Sequence, residues 1–99
     1  MGVTVGNTST DLVDAIKEAK GIKSDYGVAK QLGLAPQTIS NYRKGRTTMS
    51  DETAVAAAVM LGRAPAPILV QLAIERASTP DVAKVWKEVS KVLARPRRG

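Results

Sequence analysis

The chain has 99 residues with no cysteine and no histidine, and 15 lysines and arginines against 9 aspartates and glutamates give a formal net charge of +6. These values predict one small domain and exclude disulfides, thiol chemistry, the usual zinc sites and histidine-based acid/base catalysis. The positive charge favours a polyanionic partner such as nucleic acid, although it also keeps many small proteins in solution.

The amino-terminal sequence MGVTVGNTST has neither the basic region nor the apolar core of a signal peptide. No segment approaches the roughly 20 consecutive apolar residues of a membrane span. We therefore expect a cytoplasmic protein with no membrane partner.

Apolar residues at spacings of three and four predict a first helix that Thr10 caps and Gly21 ends. Ser24 is expected to begin a second helix, which spans only about two turns. Gly33 follows its last turn.

Pro36 opens a predicted third helix, because a proline in the first turn gives up an amide that would lack a partner anyway. Gly45 ends this helix. Ser50 is expected to cap a fourth helix, whose first turn carries two carboxylates where the helix dipole favours them and which Gly62 ends.

Two further helices are predicted after Gly62. Pro67 is expected to start the fifth helix, and Ser78 or Thr79 to cap a sixth that has Pro80 in its first turn. No strand pattern competes, so the predicted fold is all-α, a compact bundle of about five to six helices.

The expected domain organisation has four parts. They are a flexible segment at 1–9, a DNA-binding domain at 10–62, carboxy-terminal helices at 63–94 that serve dimerisation, and a basic flexible tail at 95–99.

The stretch GVAKQLGLAPQTISNYRKGR, residues 27–46, places small and apolar residues at fixed positions. Counted from Asp25 as position one, alanine is at position 5, glycine at position 9 and apolar residues at positions 4, 8, 10, 15 and 18. The alanine lets two helices cross closely, the glycine supplies the positive φ of a tight turn, and the apolar residues fill the wedge between the helices. In that order the residues are Ala29, Gly33, Val28, Leu32, Leu34, Ile39 and Tyr42.

This pattern resembles the helix-turn-helix of DNA-binding regulators, and the helices around it resemble the lambda-repressor/Cro class of domains over about residues 10–62. The whole chain also resembles the small repressors of filamentous phages and related prophages. An ordinary helical hairpin is the simpler interpretation. The full pattern favours the helix-turn-helix, and so does the cationic stretch between Asp25 and Asp51, which contains no acidic residue.

The resemblance implies that the second helix of the motif lies in the major groove of double-stranded DNA with its amino-terminal half against base edges. The residues that it assigns to base contacts are Gln37, Thr38, Ser40 and Asn41. Gln and Asn can pair bidentately with adenine, whereas Ser and Thr can read a donor or an acceptor. The same residues would also keep an exposed helix soluble.

Phosphate contacts are expected from residues at or beyond the ends of the motif helices. They are Ser24, Tyr26, Arg43, Lys44, Arg46, Thr47 and Thr48. The family often has glutamine at the first motif position, where it braces a phosphate and the recognition helix. Asp25 stands there in this chain, so that role is not transferred to it.

The sixth predicted helix has an apolar stripe opposite its lysines. The stripe either folds back on the core or meets its copy in a homodimer, and the residues assigned to a dimer interface are Val82, Val85, Trp86 and Val89.

The favoured function is a non-enzymatic, sequence-specific transcriptional repressor of phage or prophage origin that binds a two-fold related operator as a homodimer. The alternative is a protein-interaction module such as an antitoxin or phage anti-regulator. An enzyme is disfavoured because no clustered carboxylates replace the missing His and Cys. No cofactor, metal or small-molecule substrate is expected.

Overall fold

The computed structural model describes residues 8–94 and forms a bundle of six α-helices, with no β-strand in this range. The predicted all-α fold is confirmed. The helices are α1 (Thr8–Lys20), α2 (Asp25–Leu32), α3 (Pro36–Arg43), α4 (Asp51–Leu61), α5 (Pro65–Arg76) and α6 (Pro80–Ala94).

Three of the predicted amino-terminal caps are confirmed. The Ser24 hydroxyl accepts a hydrogen bond from the Gly27 amide at 3.0 Å. The hydroxyls of Ser50 and Thr79 accept in the same way from amides three residues later. Each cap satisfies one of the backbone donors that a helix leaves without a partner in its first turn.

Two helices begin earlier than predicted, α1 by three residues and α5 by two. Thr10 does not cap α1, because the helix already starts at Thr8, whose amide donates to a carboxylate oxygen of Glu75 at 2.8 Å. Helix α5 starts at Pro65 instead of Pro67. Both prolines fit, because the amides of the first turn have no partner within the helix.

The predicted flexible segments at 1–9 and 95–99 lie outside the described residues, except for Thr8 and Ser9. These two residues belong to α1, and the Ser9 side chain is buried.

The core lies between the first five helices. It contains residues from α1 to α5 and one methionine from the α3–α4 loop: Leu12, Val13, Ile16, Val28, Ala29, Ile39, Tyr42, Met49, Ala54, Ala57 and Leu72. Because α5 supplies Leu72 to this core, α5 is part of the folded domain and not an appendage to it.

Helix α6 packs only against α5 among the described helices and has no buried residue. Its half-buried positions are the small residues Ala83 and Ser90, seven apart, which lie on one face of the helix. In residues 8–94, no helix combines the length and the apolar character that a membrane span requires.

Candidate nucleic-acid interface

The turn between α2 and α3 has the left-handed geometry that the sequence predicts. Gly33 has φ +70° and ψ +30°, a conformation that glycine adopts without the steric cost that a Cβ atom would impose. The next amide, that of Leu34, donates to the Ala29 carbonyl at 2.8 Å and closes the end of α2. The direction of α3 relative to α2 is therefore set by one residue.

Close packing between these helices depends on small side chains. Ala29 and Ile39 are both buried, and α2, α3 and α1 pack against one another in pairs. A Cβ atom at Gly27 would lie 2.6 Å from Cγ2 of Ile22, so α2 also sits close to the segment that precedes it. The predicted inward residues of α3, Ile39 and Tyr42, are both in the core.

The four predicted base-contacting residues lie together on α3. Gln37 is exposed, and Thr38, Ser40 and Asn41 are half-buried. The Gln37 side-chain amide donates to Oδ1 of Asn41 at 3.2 Å, so the two planar amides form a pair on one face of the helix.

Arg43, a predicted phosphate contact at the end of α3, has two carboxylate partners within the protein. Its guanidinium lies 2.7 Å from Oδ1 of Asp14 on α1 and 2.9 Å from Oδ1 of Asp25 on α2. Lys17 reaches the same Asp25 oxygen at 3.1 Å. These ion pairs connect α1, α2 and α3 on one surface, which we term the Arg43 network (Asp14, Lys17, Asp25 and Arg43).

The Arg43 network changes the acidity of its members. Hydrogen bonds from Arg43, supplemented by Lys17, lower the pKa of Asp25 from its ordinary 3.8 to about 2. A hydrogen bond from Arg43 also lowers the pKa of Asp14, and the two carboxylates raise the pKa of Arg43. Asp14, Asp25 and Arg43 are therefore charged at neutral pH.

The other predicted phosphate contacts differ in how they are held. Tyr26, Lys44, Arg46 and Thr47 are exposed. Within residues 8–94, Lys44 and Arg46 form no ion pair. The Ser24 hydroxyl accepts from Gly27 but keeps its own hydrogen for a further bond.

Thr48, the last predicted phosphate contact, is half-buried, and its hydroxyl oxygen accepts from Nε of Arg76 at 3.0 Å. Arg76 also binds Asp51 and the Met49 carbonyl, and the buried Ser9 hydroxyl accepts from the Met49 amide at 2.7 Å. Neither Ser9 nor Arg76 was indicated as a functional residue by the sequence pattern. Their partners lie 40 and 25–28 residues away, and no local pattern indicates such contacts.

The four predicted interface residues of α6 share an exposed stripe. Val85 is 59% exposed and Trp86, the sole tryptophan, is 37% exposed. The complete exposed stripe contains Val82, Val85, Trp86, Val89, Val92 and Leu93. An apolar stripe of this length in water is typical of a surface that another chain covers.

No group of three or more carboxylate, histidine or cysteine side chains comes together as a candidate metal site within residues 8–94.

Over 86 residues the chain is 35% identical to the uncharacterized protein Gp-c of Pseudoalteromonas phage PM2, and the match spans 82% of this chain and 92% of Gp-c. The chain belongs to the Gp-c family. No protein-family model matches it, and no solved structure matches it significantly. Membership of the Gp-c family connects the chain to a phage protein whose name states no activity.

Proposed function

We propose that this member of the Gp-c family is a sequence-specific, non-enzymatic DNA-binding repressor of the lambda-repressor/Cro class, of phage or prophage origin, and that it acts in the cytoplasm. The observation that carries the proposal is the pair α2 and α3. A left-handed Gly33 joins them, buried small and apolar residues lock them together, and polar side chains face outward from α3. This is the arrangement that a recognition helix needs.

In this proposal α3 enters the major groove of double-stranded DNA. Gln37 and Asn41 are the leading base readers, because each amide offers a donor and an acceptor that match an adenine edge. Their mutual hydrogen bond restricts both side chains before DNA arrives. Thr38 and Ser40 are half-buried, and their shorter side chains contact the bases that lie nearest to α3.

Lys44, Arg46 and Thr47 are the leading phosphate contacts, since they are exposed and follow the end of α3. Ser24 and Tyr26 approach the backbone from the start of α2. Arg43 and Thr48 are secondary phosphate contacts, because protein groups already bind them and only the donors that those partners leave unused can reach DNA.

We further propose that the protein is a homodimer that covers the exposed stripe of α6 and occupies a two-fold related operator. One short recognition helix reads too few base pairs to be selective, and a symmetric pair doubles the sequence that is read. Occupancy of the operator would then exclude polymerase.

The same stripe also supports a second candidate, an interaction module such as an antitoxin or anti-regulator that binds a different protein through α6. The two candidates differ in their requirement for α3. The repressor needs the outward side chains of α3 for its function, whereas the interaction module does not.

An electrophoretic shift with labelled DNA from the region upstream of the gene tests the proposal. We expect a complex that unlabelled upstream DNA displaces and that an equal mass of random duplex does not. Equal competition by both DNAs, or no complex at about 50 mM salt where phosphate contacts are strong, would exclude the repressor and leave the interaction module.

A further inference from the structure

The side chain of Arg76, at the end of α5, holds the segment that connects the cationic loop to α4. Its Nε donates to Thr48 Oγ1 at 3.0 Å, and one terminal nitrogen donates to Asp51 Oδ1 at 3.0 Å. The other terminal nitrogen donates to the Met49 carbonyl. Only a planar guanidinium offers donors in this fork geometry, so lysine cannot replace all three bonds.

A second set of bonds joins the same place to α1. The Glu75 carboxylate accepts from the amide and the hydroxyl of Thr8, the first residue of α1. The Ser9 hydroxyl accepts from the Met49 amide. The end of α5, the start of α1 and residues 48–51 therefore form one hydrogen-bonded unit, which we term the α5 junction (Thr8, Ser9, Thr48, Met49, Asp51, Glu75 and Arg76).

The α5 junction lies between the two surfaces that the proposed function uses. On one side, Lys44, Arg46 and Thr47 immediately precede the residues that Arg76 binds. On the other side, α6 follows Arg76 after a three-residue connection and packs only on α5 among the described helices. The other end of the loop is also fixed, because the Arg46 amide donates to the Asn41 carbonyl at 2.9 Å.

We propose that Arg76 is a positioning residue for DNA binding, which fixes the loop 44–48 against the phosphate backbone and connects that loop to α5 and α6. The inference rests on the proposed function. Arg76 does not touch DNA in this account; it acts through Arg46 and its neighbours, whose positions it restricts before binding. A loop that is already ordered loses less conformational entropy when it meets phosphates.

Arg76 is not needed to hold the fold together. Its ion pair with Asp51 is partly exposed, with 37% of the Arg76 side chain and 63% of the Asp51 side chain accessible, and such pairs contribute little to folding stability. Ser50 caps α4 independently, and the buried bond from Met49 to Ser9 remains without Arg76. Loss of the guanidinium should therefore loosen the loop in a protein that stays folded.

The test compares Arg76→Gln with Lys87→Gln, which removes the same charge from an exposed position on α6. We expect Arg76→Gln to weaken operator binding by roughly five- to tenfold and Lys87→Gln by less than about twofold. Equal effects of the two variants would mean that only net charge matters and would overturn the inference.

A double-mutant cycle with Arg46→Gln separates positioning from direct contact. If Arg76 acts through the loop, Arg46→Gln costs less affinity, and changes the salt dependence less, in the Arg76→Gln background than in the wild type. Strictly additive losses would exclude this route. Asp51→Ala separates the effect of charge from the effect of positioning. Removal of a negative charge alone predicts tighter DNA binding, whereas loss of the α5 junction predicts weaker binding.

Amide hydrogen exchange on the full chain gives a readout that does not require DNA. Arg76→Gln should increase exchange at the Arg46 and Met49 amides, because their bonds to Asn41 and Ser9 open more often in a loosened loop, while exchange in the core of α1 and α4 stays unchanged. Unchanged exchange at these two amides would overturn the inference even if the wild type binds its operator. If the wild type binds no DNA, the proposed function fails, and increased exchange at these two amides still establishes that Arg76 positions the loop.

Discussion

At the residue scale, Asp25 gains its role from a partner that the sequence does not reveal. A carboxylate at the first position of the motif would by itself repel phosphate. In the structure its charge is balanced by Lys17 and Arg43, and its bond to Arg43 holds the end of α3. The end of α3 is thus held against the start of α2 by an ion pair.

Acid should weaken the fold through the Arg43 network. Because the pKa of Asp25 falls from 3.8 to about 2 on folding, its contribution to stability is complete above the unfolded pKa and is lost as pH falls from about 4 to about 2. We expect Arg43→Gln to move the titration of Asp25 upward toward 3.8. Carboxyl carbon NMR of the variant and the wild type measures this, and an unshifted Asp25 titration would disprove the assigned cause.

The residue types that position 33 tolerates should be limited by the backbone conformation of the turn and not by the space around Gly33. A Cβ atom there would meet no atom within 4 Å, so the cost of a side chain comes from φ +70° alone. We expect Gly33→Ala to lose about 1–2 kcal/mol of unfolding free energy and Gly33→Val to lose more. Gly33→Asn should lose less than Gly33→Ala, because asparagine tolerates this region.

Urea unfolding measures these differences. Wild-type stability in Gly33→Val, or a greater loss in the asparagine variant than in the alanine variant, would contradict the conformational explanation.

At the scale of the helices, local signals predicted α2, α3 and α4 well and α1 and α5 less well. Ser24, Gly33, Ser50 and Gly62 act within their own turns, so a short window of sequence contains the information. The start of α1 depends instead on Glu75, which lies 67 residues from Thr8.

The same distinction applies to the candidate site. The residue types on the outward face of α3 could be predicted from helical spacing. Which cations are unpaired could not be predicted, because Arg43 and Arg76 bind carboxylates on other helices, whereas Lys44 and Arg46 form no ion pair in the described part of the chain. Pairing between helices requires the fold to be known.

Changes on α3 and in the following loop should affect DNA binding in different ways. Asn41→Ala and Gln37→Ala should relax sequence preference, since a bidentate base contact discriminates by roughly 1–3 kcal/mol. Lys44→Ala should weaken all sequences alike and reduce the salt slope by about one unit.

Titrations of operator and random duplex at several salt concentrations distinguish the two classes. If Asn41→Ala loses the same affinity for every sequence and keeps its base preference, then Asn41 contacts the DNA backbone and not a base. The Gln37→Ala variant provides a second measurement of base preference, because the side-chain amides of Gln37 and Asn41 are hydrogen-bonded to each other.

At the scale of the whole molecule, α6 is the helix whose apolar face residues 8–94 leave exposed. Leu72 and Val70 of α5 are buried, whereas no residue of α6 is. The sequence left open whether the stripe on α6 covers the core or a second subunit. Within residues 8–94 the stripe is exposed and α6 adds no residue to the buried core. In the proposed homodimer a second copy covers the stripe and sets two α3 helices for successive major grooves about 34–36 Å apart.

The last prediction is that removal of the α6 stripe produces a folded monomer with weak operator binding. Val85 and Val89 are exposed, so changing both to Asp should leave the core intact while placing charge in the proposed interface. Lys84→Gln with Lys91→Gln is a matched control, because it changes the net charge by the same amount on the opposite, polar face of the same helix. A stop after Ala77 removes α6 without touching the buried Leu72, which a cut near Ala64 would take away.

Sedimentation at roughly tens of micromolar, above usual self-association constants, should show a dimer for the wild type and the lysine variant and a monomer for the valine variant and the truncation. Circular dichroism checks that helicity is retained. A wild-type chain that stays monomeric at that concentration would disprove a preformed dimer and would shift the α6 stripe to a different protein partner.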